Sequence, residues 1–165
     1  MRVTTAKTVS FIIGLYQTIG AVIGIESLLY NFYHYKVNLF WLLYSLIGLC
    51  LFIFCLLAGI QLMRQRIVGH SLTFYNQLLQ FISISIFGVR YLYNGGIGLY
   101  LSLDWADELD FMWTVALPKI SLGKISYDIM QISINLTPII VIVLNERMKQ
   151  SLSESTNKSL RHTGR

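Results

Sequence analysis

Residues 70–94 read HSLTFYNQLLQFISISIFGVRYLYN, and the folding of this stretch decides the architecture. From Ile67 to Val89 no side chain is formally charged when His70 is neutral. Such a length is enough to cross a bilayer core, which takes about 20 predominantly apolar residues. Within it Thr73, Asn76, Gln80, Ser83, Arg90 and Asn94 recur at helical spacing, with Phe87 filling the one gap. At about 100° per residue these positions fall on one face. Polar groups turned to lipid would lack partners, so the face is expected to point into protein or a water-filled cavity. The spacing predicts a transmembrane helix over 67–93.

Two more apolar runs precede it. The run from Thr8 to Tyr30 follows a short basic start with Arg2 and Lys7. No small-residue cleavage site of the A-x-A kind follows it, so it is expected to stay as a first membrane helix over 8–30 rather than leave as a signal peptide. Gly20-Ala-Val-Ile-Gly24 is a GxxxG, which lets another helix approach closely. Val37 to Met63 is the longest uncharged run and predicts a second helix over 37–63, with Gly48 and Gly59 in a stripe of small residues. The Arg64-Gln-Arg66 turn is short enough to make the second and third helices antiparallel neighbours.

Beyond Asn94 the glycines at 95, 96 and 98 break the helix. An external connection is expected over 94–127. Within it Trp105, Leu109, Met112 and Trp113 share one helical face and Asp104, Asp107 and Glu108 another, the pattern of a short amphipathic surface helix. A fourth helix is expected over 128–144, with Asp128, Gln131, Asn135 and Pro138 on one face. This second polar stripe is the natural partner of the first. Residues 145–165 read as a polar tail.

Composition agrees with a membrane protein of one domain. The 55% apolar fraction and the mean hydropathy of +0.59 exceed what a soluble domain of this size carries. The net charge of +5 comes from residues flanking apolar runs, not from a basic stripe interleaved with aromatics, so nucleic acid is not an expected partner. Arg2, Lys7, Arg64, Arg66, Arg147 and Lys149 gather at one side, while Tyr30, Trp41, Tyr91, Trp105 and Trp113 gather at the other. The positive-inside rule therefore puts both termini in the cytoplasm of a cell (inner) membrane and the acidic, aromatic segment outside.

Glu26, Arg90 and Asp128 then fall near the outer ends of their helices. An ion pair or triad among them is the expected clamp, and a ligand site the alternative. Asn76, Gln80, Gln131 and Asn135 supply donors and acceptors between the third and fourth helices.

Catalytic patterns are incomplete. Tyr127-Asp128 resembles half of the intramembrane aspartyl protease pattern, but Gly96-Ile-Gly98 is followed by Leu99 rather than Asp. Cys50 and Cys55, five apart, point about 140° from each other on a helix and can neither pair nor share a metal. The acidic loop residues lack the histidine spacing of a metal site. No cofactor is expected.

The sequence thus predicts an all-α integral membrane protein: a four-helix transmembrane bundle with an external amphipathic segment between helices 3 and 4. The expected role is that of a non-enzymatic subunit or scaffold in a membrane assembly. Its partners would be the lipid bilayer and other membrane subunits or further copies of itself. A small transporter or channel component with a polar site near Arg90 is the alternative.

Overall fold

The computed structural model describes residues 3–34, 39–87, 89–105, 109–124 and 130–163. Two long helices open the chain, α1 (Val3–His34) and α2 (Leu39–Met63). Both are long and apolar enough to cross a membrane, and most of the surface of their apolar stretches is left uncovered by the rest of the chain. They pack along each other. Gly59 lies against the Gly14 carbonyl and Thr18, and Gly24 against the ring of Phe52.

The decisive stretch then departs from the helical expectation. A third helix, α3 (Ile67–Phe81), keeps the polar stripe for four turns, burying His70, Thr73, Asn76, Gln77 and Gln80. At Ile82 the backbone turns extended, with φ −118° and ψ 135°. Strand β1 (Ile82–Ile86) begins there and β2 (Val89–Asn94) returns beside it. Ile82-Ser-Ile-Ser-Ile86 alternates with a period of two and is rich in β-branched residues, which pack well on a pleated surface and lose rotamer freedom in a helix. Ile86 pairs with Val89, and Phe87 between them takes φ 51°, as a primed two-residue hairpin turn requires.

Four more strands follow: β3 (Gly98–Asp104), β4 (Asp110–Ala116), β5 (Lys119–Lys124) and β6 (Gln131–Asn135). All pairings are antiparallel, in the order β4-β3-β6-β1-β2-β5. Helix α4 (Leu136–Thr163) starts directly from β6. The all-α four-helix bundle is therefore corrected. Among the described residues there are four helices and a six-stranded antiparallel sheet, and only α1 and α2 have the length and apolarity of membrane spans. Of the expected surface helix over 105–113, Asp107 and Glu108 lie outside the described residues, and its described end belongs to β4. Met112 and Trp113, placed on one helical face by the sequence, are neighbours on β4 and point to opposite sides of the sheet. The polar tail expected from 145 onward continues instead as the backbone of α4.

The sheet is curled. Its two edge strands, β4 and β5, are joined through Leu117 and Pro118 alone. Two linking residues bring Ala116 and Lys119 within about 11 Å, whereas the outer strands of a flat six-stranded sheet stand about 24 Å apart. The edges must therefore meet at this end. The alternation is also inverted relative to a soluble sheet. Ser83, Ser85, Tyr100, Ser102, Ser133 and Asn135 are buried on the concave side, while Ile82, Ile84, Leu99, Trp113 and Ile134 are exposed on the convex side. Only the β2–β5 part of the convex side is covered, where Tyr93 and Ile120 pack with Leu28 and Phe52. At the other end of the molecule α1, α2 and α4 close on Ala6, Ile13, Leu62, Val141 and Met148.

Candidate functional site

The concentration of buried polar groups lies where the helices meet the sheet. Its centre is the β2–β3 turn, Asn94-Gly-Gly-Ile-Gly98, which enters the helix bundle. A β-carbon on Gly20 of α1 would overlap the Gly95 carbonyl, and one on Gly96 would overlap the Tyr16 ring. Glycine is needed at these positions because backbone meets backbone, or a ring, with no room for a side chain. Such an approach carries a cost. A turn has backbone donors and acceptors that no helix or sheet ladder satisfies, and inside a protein each must find a partner.

Side chains of the surrounding helices and strands provide several of them. Gln80 Oε1 accepts from the Gly95 amide at 2.9 Å. The Tyr16 hydroxyl donates to the Ile97 carbonyl at 2.7 Å. Asn94 Nδ2 reaches the carbonyls of Gly96 (2.7 Å), Ala116 (3.1 Å) and Leu117 (3.0 Å), tying together the two turns at which the sheet curls. The Leu99 amide donates to Thr137 Oγ1 at 3.1 Å. Beneath the turn, Asn76 Nδ2 donates to Cys55 Sγ, and the Tyr93 hydroxyl sits between Asn76 Oδ1 and the Leu51 carbonyl.

The junctions themselves are capped. Asn135 Oδ1 accepts from the Thr137 amide at 3.2 Å, the N-cap bond of α4. The Tyr91 hydroxyl donates to the Leu79 carbonyl, one of the C-terminal carbonyls that α3 leaves open. Further down, α3 and α4 are joined by a reciprocal pair: His70 Nδ1 donates to Asn145 Oδ1 at 2.7 Å and Asn145 Nδ2 to the His70 carbonyl at 2.8 Å.

The residues singled out from the sequence are distributed as follows. Asn76 and Gln80 are both in the cradle of the turn. Asn135 is at its rim, beside Gly98. Gln131 pairs in the sheet with Ser85 and Asp104. None of these four bonds to another of the four. Arg90 and Glu26 make no ion pair with each other: Glu26 is exposed on α1, and Arg90 Nε donates to Ser85 Oγ at 3.0 Å across the hairpin. Asp128 lies outside the described residues. Gly20 meets the inserted turn, Gly24 and Gly59 serve the contact of α1 with α2, and Gly48 sits against Leu28 and Ile120.

Sequence reasoning missed Tyr16, Tyr93 and Thr137, and it placed Asn94 only as a member of a helical face. The available signal was Asn94-Gly-Gly-Ile-Gly98 itself. Three glycines in five residues leave a bare backbone whose polar groups need hosts. Among the described residues no group of three His, Cys, Asp or Glu side chains is placed to hold a metal ion. No protein-family model matches the sequence, and no curated protein or solved structure matches it.

Proposed function

We propose that this chain is a non-enzymatic integral membrane protein, anchored by α1 and α2, that serves as a subunit or scaffold of a larger membrane assembly. The observation that carries this reading is strand β4. Apart from Ala116 it is exposed on both faces, with Phe111 and Trp113 more than 60% exposed. It is also an edge strand, with one row of backbone groups open. An exposed aromatic edge is a docking element for a further strand or helix, and its neighbour here would be another membrane-anchored protein.

The buried polar groups support a structural role for the interior. Gln80 and Asn94 bond the inserted turn, and Gly20 and Gly95 pack backbone against backbone. The reading includes the topology. Ala6, Leu62 and Met148 pack together, which supports putting the start of α1, the end of α2 and the middle of α4 at one side of the membrane. The basic residues at that end favour the cytoplasmic side.

The test is native mass spectrometry after gentle extraction, comparing the natural chain with F111K. Phe111 is exposed near the distal end of the sheet, so the fold and its thermal unfolding should not change. Loss of a defined complex by the variant supports the reading. A complex of unchanged mass, or a natural chain that is always monomeric, contradicts it.

A further inference from the structure

We propose that the helix-proximal end of the curled sheet lies within the membrane hydrocarbon and that its convex apolar residues contact lipid acyl chains. This rests on the reading that α1 and α2 cross the bilayer. The first argument is depth. The Tyr16 hydroxyl holds the Ile97 carbonyl, and Gly20 lies against Gly95. Residues 16–20 are in the middle of the apolar stretch of α1, so an α1 that crosses the membrane carries the turn to mid-bilayer depth.

The second argument is length. The 15 residues of α3 cover about 22 Å, short of a hydrocarbon core of about 30 Å. The missing height is made up by β1, and on the neighbouring trace by β6. The third is the inverted alternation. Ile82, Ile97, Leu99, Val115, Leu117 and Ile134 are all exposed, whereas the serines and asparagines of the same strands are buried. An apolar exterior over a polar interior is the pattern that lipid imposes on membrane β-structure. On α1 and α2 the apolar Phe11, Leu15, Ile53 and Leu57 are likewise exposed.

The cradle supplies the fourth argument. Irregular backbone at membrane depth is tolerated only where protein satisfies it. Here the amides of Gly95 and Leu99 and the carbonyls of Gly96, Ile97, Ala116 and Leu117 all have side-chain partners. Lys119, exposed at this end, pairs with Asn94 and so falls on the polar side of the sheet rather than on its apolar side. The distal end, with Asp104 and Asp110, then stands at the outer aqueous side.

Spin labelling tests the placement. In a C50S background, which leaves Cys55 buried, single cysteines replace Ile97, Leu99, Ile53 or Phe111 in the full chain. Each variant is nitroxide-labelled and reconstituted in phosphatidylcholine–phosphatidylglycerol vesicles. At I97C and I53C oxygen should collide with the label severalfold more often than a water-soluble nickel chelate, and at F111C the ratio should fall. L99C serves if I97C does not fold. Nickel access at I97C and L99C with I53C protected overturns the placement while leaving the spans intact. Nickel access at I53C as well overturns the membrane reading and the placement with it.

Discussion

Below Phe81 and Leu136 the two polar stripes of this chain run along helices; above them the same stripes continue along strands. In the helical half they carry long side chains that bond one another or the inserted turn, as His70 does with Asn145 and Gln80 with Gly95. In the sheet half Ser83 and Asn135 join a buried row with Ser85, Ser102 and Ser133, where Ser102 donates to Ser133 at 2.8 Å, behind an apolar exterior. The difference teaches that a polar stripe is not itself evidence of a helix. Residues four apart share a face at 100° per residue and also at 180° per residue, because four is even. Arg90 and Asn94, or Gln131 and Asn135, satisfy both periods.

Substitutions that act on the turn should separate the halves most sharply. Gly20→Val should cost on the order of 3 kcal/mol or more, because overpacking against backbone cannot be relieved by a rotamer change. Its thermal unfolding in detergent should fall far more than that of Gly48→Ala, whose new methyl meets only the side chains of Leu28 and Ile120. Equal losses would mean that the turn does not press on α1. Gln80→Leu comes next. It strands the buried Gly95 amide and should cost about 1–3 kcal/mol, measured by the same unfolding, whereas Glu26→Gln on the exposed side of α1 should change nothing.

Within the sheet half, Arg90→Ala removes the bond to Ser85 and should cost roughly 0.5–1.5 kcal/mol. Arg66→Ala, in an exposed turn, should leave stability unchanged. Similar tolerance of both would remove Arg90 from the structural account. The smallest effect is expected in the helical half. A double-mutant cycle with His70→Phe and Asn145→Leu should give a coupling near 0.6 kcal/mol, the average for interhelical polar contacts in membranes. A coupling several times larger would make this pair, not the turn, the main tie between the helices.

Much of the helical half was legible. The apolar runs located α1 and α2, the short Arg64–Arg66 turn made α2 and α3 neighbours, and the stripe from Thr73 to Gln80 is buried on α3 as its spacing implies. The sheet was legible only in pairs of residues two apart: Ser83 with Ser85, Ser133 with Asn135, and Tyr100 with Ser102. They also fit a helical pattern, because the surrounding composition is apolar enough for a span. The clamp of Glu26 with Arg90 failed for the same reason. It assumed that 67–93 was one straight helix ending beside α1. The cradle could not be read from spacing at all, since its partners come from α1, α2, α3, β2 and α4 and its ligand is backbone.

The central claim is that the polar stripes exist to house the Asn94–Gly98 turn inside the helix bundle. Its most direct test is NMR of the glycine-labelled chain in lipid. The account predicts close contacts from the Gly20 α-protons to Gly95 and Gly96, with extended-strand shifts at Ile82–Ile86. Helical shifts continuing through Ile82–Asn94, with Gly95 and Gly96 in contact with water alone, would contradict it.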